Sequence, residues 1–576
     1  VREKIGLDMN ELEIVRDISS LIISHEKLGK VAMKKKIDAL YKDFLTLPEV
    51  GADYLNNIFE VVFPDKEKLA VGSIVSRGGA KIQFNAKDGT PGLSMLCLPE
   101  ARLGISENMN PTAKLMSVVK SNILVGSKMP DIISVASTGQ PFVSMTAGGQ
   151  LIVSADSLQS SEYDQSYLYT QGTDSHKRRR WGRGGDNYAG CIAFSGGIHE
   201  GVKTDAYTIR LWNKKIQEVI DSNIKMGKPE ASVDIYVTSD WQTGSPTAKP
   251  ATWVRGLFWA VLTGQKDIVI NGDLLQGQNY GRAVAEMQLT GLVGIEDQQA
   301  FIGALLQPVL DMIKELKAKD VNFEIPKFTI LTGNHETNSQ SGKGGQGIWF
   351  LQSVVAQIES FYRGAFGPEI AESKVVYPKK FVDRLGTDVD YSHIVLDYSD
   401  LTGFRIAAQH YVGIGAKGSS SVPPIAAASK WGRSMENELR PVHGFLLGHW
   451  HTQSITQQDG LFYAIFGANA DKSGFEHHLG YPTTVPGSGR VRLHSHRPPE
   501  LFFVTDPYLH VQEKQLLKNK TYRDLVGSFD GSLENFIEAE RVRHQNRDQK
   551  AFRYDQVSMK GPHVFLDGNR KMKKSA

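Results

Sequence analysis

Apolar positions near the start of the chain recur at helical spacing. Leu12, Ile14, Val15, Ile18, Leu21 and Ile22 predict a helical N-terminal segment over residues 1–70. From 71 to 230 the texture changes to short apolar runs, such as Ile132-Ile133-Ser134-Val135 and Gln150-Leu151-Ile152-Val153, set among frequent Gly, Ser and Thr. That pattern predicts a β-rich accessory domain with long loops. From 231 to 505 strand-like runs (Val233–Ser239, Asp267–Asn271, Phe328–Thr332, Ile394–Leu396, Phe404–Ala408, Gly444–Leu447) alternate with helical stretches, clearest at Trp253–Leu262, Ala300–Leu316 and Ile348–Phe361. Alternation of this kind predicts an α/β domain with its chemistry on loops at strand ends. Residues 506–576 are polar and charged, which predicts a C-terminal extension whose last basic run, Arg570-Lys571-Met572-Lys573-Lys574, is solvated.

Composition narrows the class only slightly. A chain of 576 residues is too long for one simple core, and about two to four domains are expected. A hydrophobic content of 40% and a charged content of 22% are ordinary for a globular protein. The net charge of +3 is small for this length, so attraction to nucleic acid would have to come from local patches. Cys97 and Cys191 stand in unrelated contexts and give neither a disulfide framework nor a zinc ribbon. They read as buried small apolar residues in a reducing compartment. No apolar run approaches the ~20 residues that cross a bilayer, and a soluble cytoplasmic protein is expected.

The candidate chemistry lies in five clusters, in this order: Asp240-Trp241-Gln242, Gly272-Asp273, Gly333-Asn334-His335-Glu336, His410, and Gly448-His449-Trp450-His451. Most follow an apolar run directly, so several strand ends deliver carboxylate, amide and imidazole groups. Two adjacent divalent metals require that mixture of donors if they are to split a phosphoester. Gly272 lets the backbone turn tightly beside Asp273, whose two oxygens can each bind a different ion. Each cluster alone has a structural explanation: Gly272-Asp273 as a turn, Asn334 as a helix cap, His410 as a core histidine. Five in one order argue for a shared site.

This run of motifs resembles the calcineurin-like metallophosphoesterases over about residues 231–470, whose pattern is D-x-H, G-D, G-N-H-D/E, H and G-H-x-H. The resemblance implies a four-layer αββα sandwich with a two-metal site at its strand ends. It implies one ion on Asp240, Asp273 and His451, another on Asp273, Asn334, His410 and His449, and His335 as the acid beside the leaving group. The departure is Gln242, where the family usually has His. A neutral amide oxygen is a harder and weaker ligand than imidazole, which favours Mn²⁺, with Mg²⁺, Fe²⁺ or Zn²⁺ as alternatives.

Spelling bears on the substrate. Asp240-Trp241-Gln242-Thr243-Gly244-Ser245 and Gly272-Asp273-Leu274-Leu275 are similar to segments of double-strand-break-repair exonuclease subunits and of the small subunit of archaeal D-family polymerase. Glu336 is instead the spelling common in protein phosphatases, but their V-D-R-G continuation is missing. The expected function is a nuclease or nucleic-acid phosphodiesterase. Its alternatives are a phosphomonoesterase acting on protein or small-molecule phosphates, and a nucleic-acid-binding scaffold with a degenerate metal site. Lys177 to Arg183 packs five cations and Trp181 into seven residues. Arg178, Arg179 and Arg180 could meet DNA or RNA phosphates there while Trp181 stacks on a base; a solvated loop is the plainer reading. Gly342 to Gly347 lacks phosphate-loop spacing and reads as a flexible loop. His393 and His443 read as structural, and His477 and His478 as possible neighbours of the site.

Overall fold

The computed structural model describes residues 70–76, 79–85, 91–98, 130–135, 142–146, 148–154, 190–199, 202–277, 289–292, 294–338, 346–377, 394–410, 442–458, 460–472 and 485–544. The chain divides into two compact units, Val1–Leu96 and Cys97–Ala576. The first contains the antiparallel pair β1 (Ala70–Ser76) and β2 (Gly79–Asn85), and β3 (Pro91–Leu98) begins within it. Residues 1–69, expected as helical, lie outside the described residues, as do Arg178 to Trp181, His393, His477, His478 and the terminal basic run.

The second unit is an α/β sandwich of two mixed sheets. One runs β4 (Ile132–Val135), β6 (Leu151–Ser154), β5 (Phe142–Met145), β16 (Gln453–Gln458), β17 (Leu461–Phe466), β15 (Gly444–Leu447), β14 (Phe404–Gln409), β13 (Ile394–Tyr398). The other runs β12 (Val375–Val376), β11 (Lys327–Leu331), β10 (Asp267–Asn271), β9 (Ser232–Thr238), β18 (Gly487–His494), β19 (Glu500–Thr505), β8 (Val202–Asn213), β7 (Gly190–His199). Strands β9 to β12 are mutually parallel, and so are β14, β15 and β17. Parallel strands covered on both faces read as unbroken apolar runs, and β10, β15 and β17 are buried at every position.

Between the sheets the packing is close. A Cβ on Gly489 of β18 would collide with the Phe466 ring of β17, and Phe466 meets Phe503 of β19 at a centroid distance of 6.3 Å. The second sheet's outer face carries the main core. There Ile268, Ile270, Phe328 and Ile330 pack with residues of α2 (Pro250–Leu262), α3 (Ile295–Lys319) and α5 (Gln346–Phe366). α1 (Lys214–Lys225) follows β8 and begins at a cap, where the Asn213 side chain accepts from Ile216 N–H. α4 (Asn334–Asn338), α6 (Pro368–Lys374) and α7 (Ser399–Thr402) are short connectors.

Two features depart from the sequence expectation. The strands β4 to β8, within the stretch read as an accessory domain, hydrogen-bond into the two sheets: β5 pairs with β16, and β8 with β19. Pairing over distant stretches of chain leaves no local signal. Residues 506–544, read as part of a polar extension, form α8 (Asp506–Leu516), α9 (Lys520–Gly527) and a further helix over 533–544. Their polar composition conceals apolar faces: Leu509, Leu516, Tyr522, Val526, Leu533, Phe536 and Ile537 all enter the main core. Arg255 of α2, fully buried, ties them down through Glu534 at 2.7 Å and Asp506 at 3.2 Å. Among the described residues no helix is long and apolar enough to cross a membrane.

Candidate metal centre

Parallel strands of both sheets end at one place. Asp240 follows β9, Asp273 follows β10, Asn334 follows β11, His410 follows β14, and His449 and His451 follow β15. Backbone at carboxyl strand ends must turn away at once, and here it does so through left-handed conformations. Asp240 (φ 51°), Gln242 (φ 44°), Asp273 (φ 51°), His449 (φ 75°) and His451 (φ 49°) all adopt positive φ. Non-glycine residues held there are strained, and such strain concentrates at functional sites.

The glycines of the motifs allow the loops to meet. A Cβ on Gly272 would lie 2.6 Å from the Gly333 nitrogen and 2.7 Å from the His410 ring. On Gly333 it would overlap Asp273, and on Gly448 it would lie 2.7 Å from His410 Nδ1. Three glycines, one from each of three motifs, therefore face the neighbouring motif's functional side chain.

At the centre, Asp240 and Asp273 are buried with one oxygen each committed to the backbone. Asp240 Oδ2 accepts from His449 N–H at 3.0 Å, and Asp273 Oδ1 accepts from His335 N–H at 2.8 Å. The other two oxygens face imidazole nitrogens. His410 Nε2 is 3.0 Å from Asp273 Oδ2 and 3.8 Å from Asp240 Oδ1, while His451 Nε2 is 3.3 Å from Asp240 Oδ1. Both oxygens, together with His410 Nε2, are buried without a well-aligned hydrogen bond. Buried carboxylate oxygens are costly unless positive charge meets them, whether a protonated imidazole or a metal cation. Asp273, His410 and His449 bring one donor atom each within 4.8 Å of one another, so this donor set fits a divalent ion.

The electrostatics follow from that crowding. Burial pushes His410 down, but Asp273 and Asp240 outweigh it and raise it to about 9. Its Nδ1 donates to the Asn271 carbonyl, so the added proton sits on Nε2, between the carboxylates. Burial works against ionised Asp273 and Asp240, yet His410 and its neighbouring histidines hold both below the usual carboxylate range. Burial, followed by the charge on His410, lowers His449 to about 4 and leaves it a neutral donor.

His335 lies at the rim, with Nδ1 2.9 Å from the Gln276 carbonyl and Nε2 3.8 Å from Asp273 Oδ2. Gln242 lies beside His451, its amide nitrogen 2.8 Å from His451 Nε2. Asp240, Gln242, Asp273, Asn334, His335, His410, His449 and His451 thus belong to one cluster of strand-end loops. His443 lies apart and accepts from Arg405 N–H at 3.1 Å, as its structural reading expects.

Three residues support the site in ways the sequence did not show: Glu336, which the third motif named without a role, and Asn271 and Asn469, which sequence reasoning passed over. Glu336, buried, accepts from the backbone N–H groups of Asp273 (3.0 Å), Leu275 (3.0 Å) and Gly333 (2.7 Å), fastening the loop after β10 to the loop after β11. Asn271 reaches across the sandwich to the carbonyls of Gln409 and Leu446. Asn469 donates from its backbone to the Asp240 carbonyl and from its side chain to the Ser239 carbonyl and Thr238 Oγ1. Its signal was available: Gly467-Ala468-Asn469 follows an apolar strand just as Gly333-Asn334 does.

No protein-family model matches the chain, and no curated protein does. Solved structures align with parts of it. A conserved protein of Streptococcus pneumoniae described as a predicted phosphoesterase aligns at 11% identity, over 46% of this chain and 84% of its own, with a TM-score of 0.21. A novel archaeal phosphodiesterase aligns at 10% identity, over 45% and 93%, with a TM-score of 0.21. Vps29 of Entamoeba histolytica, solved with Zn²⁺, aligns at 10% identity, over 45% and 85%, with a TM-score of 0.22. These are partial alignments, and the chemistry rests on the side chains above.

Proposed function

We propose that this chain is a metal-dependent phosphoester hydrolase and that its substrate is a phosphodiester of nucleic acid. The observation that carries the first part is the pair of buried carboxylate oxygens, Asp240 Oδ1 and Asp273 Oδ2, facing a ring of imidazoles at the meeting point of two sheets. Asp273, Asn334, His410 and His449 would hold one divalent ion, and Asp240, Asp273 and His451 a second, with Gln242 beside it; Mn²⁺ suits this oxygen-rich set. Divalent ions bound there supply Lewis acidity toward phosphoryl oxygens and toward water.

The protein's own groups do the rest. Glu336 and the Asp273–His335 backbone bond hold the loops after β10 and β11 in one arrangement, so the donors need little reorganisation. Water oxygen bonds to phosphorus and releases a proton to solvent, as the phosphorus–oxygen bond to the leaving group breaks and the departing oxygen takes up a proton. With Nδ1 committed to the Gln276 carbonyl, Nε2 is the position from which His335, as imidazolium, would give a proton to the departing oxygen. A positioned acid of this kind contributes about 10²–10⁴-fold. The nucleic-acid preference is supported by the Asp240–Ser245 and Gly272–Leu275 spellings and by the basic, tryptophan-bearing stretch Arg178 to Trp181, which lies outside the described residues.

The test is a substrate panel with Mn²⁺. Hydrolysis of a bis-aryl phosphodiester and of labelled oligonucleotides, but not of an aryl monoester, is expected; turnover of the monoester alone would assign the site to phosphomonoesters.

A further inference from the structure

Gln242 stands where the resemblance in motif would put an imidazole, and its place in the structure says more than its identity. Its amide nitrogen is 2.8 Å from His451 Nε2, the same nitrogen that lies 3.3 Å from Asp240 Oδ1. An amide and an imidazole nitrogen at that distance share a hydrogen bond whichever end of the amide faces the ring. Either way, the His451 lone pair or proton is engaged by a neighbour within the chain. The other half of the site differs. Asp273, His410 and His449 bring donor atoms within 4.8 Å of one another, and His410 Nε2 there faces carboxylate oxygens, not a competing amide.

We infer that Gln242 is a competitor for His451 and not a metal ligand, so that the chain binds one divalent ion tightly, at Asp273–Asn334–His410–His449, and a second only weakly. This rests on the metal-dependent reading above and deepens it by setting the order in which the site fills. The second ion must displace the Gln242 bond before it reaches His451 Nε2. A net hydrogen bond of ordinary strength costs about 2- to 10-fold in affinity. The imidazole that Gln242 replaces costs the second ion a further ligand. The resting protein then has one resident ion, and the second arrives at high metal concentration or together with substrate.

The experiment is Mn²⁺ titration of the full chain after chelation, read by calorimetry and by electron paramagnetic resonance. Wild type is expected to bind one equivalent tightly and a second at least about tenfold more weakly, with an uncoupled one-ion spectrum at one equivalent. Gln242→Ala removes the competitor without adding a ligand and is expected to tighten the second equivalent by about 2- to 10-fold. Gln242→His should bring the two equivalents closer together and produce a spin-coupled spectrum at two. A weakened second equivalent in Gln242→Ala would show that Gln242 is a ligand and overturn the inference. Two equivalents of matched affinity in wild type would overturn it while leaving the hydrolase reading intact. No tight equivalent at all would remove both. Circular dichroism of each variant separates these outcomes from a failure to fold.

Discussion

At the residue scale, the site is governed by how tightly charged groups and backbone are packed together. Asp273 sits in left-handed backbone and its carboxylate answers to two histidines, so Asp273→Ala should abolish both metal binding and turnover. His335→Ala should instead keep its metal, because alanine still makes the backbone bond to Asp273 Oδ1, and lose about 10²–10⁴-fold in kcat with the imidazole. Metal analysis beside kinetics distinguishes the two. Gly333→Ala is the sterner test of the geometry, since its methyl would occupy the place of Asp273 Oδ1. Loss of metal with an unchanged circular dichroism spectrum is expected. Away from the site, burial lowers His443 to about 4 from its ordinary 6.5. The unfolded chain therefore binds more protons between those values. The contribution is complete above about pH 6.5 and is lost as pH falls through 4. Urea midpoints of wild type should fall across that window more steeply than those of His443→Asn.

At the element scale, Arg255 joins α2 to the helices after residue 505. Its side chain is 1% exposed, whereas Asp506, Glu513 and Glu534 are 31%, 26% and 53% exposed. Burial opposes its charge, but Glu534 and Glu513 hold it in the ionised form. Those carboxylates can turn to water if the arginine is lost. Arg255→Leu is therefore expected to cost about 1.5–3 kcal/mol, the range for charged hydrogen bonds, and not the full penalty of stranding a buried ion. Chemical denaturation measures it, and a change under 0.5 kcal/mol would show the clamp to be unimportant.

At the scale of the whole molecule, the same helices decide where the folded body ends. A chain stopping at residue 505 would uncover Trp259, Phe258 and their neighbours, which meet Tyr508 and Tyr522 in edge-on ring contacts. Such a truncation should aggregate or melt far below the full chain, whereas a dispensable tail would leave the melting temperature unchanged. Residues 506–544 looked like an extension because polar residues dominate their composition, and an apolar face one residue wide per turn hardly alters that balance. The runs at 132–135 and 150–153 were legible as strands, yet the pairings that tie this stretch into the two sheets, β5 with β16 and β8 with β19, span hundreds of residues. The chain's own text determined the α/β alternation from 231 onward and the order of Asp, Asn and His along it, because apolar runs and the residues that end them are local properties. Only tertiary structure decided that Glu336 and Asn469 fasten those loops, that three glycines leave room for their neighbours' side chains, and that Gln242 turns to His451. Each of these depends on distances between loops that sequence spacing does not encode and the register of two packed sheets does.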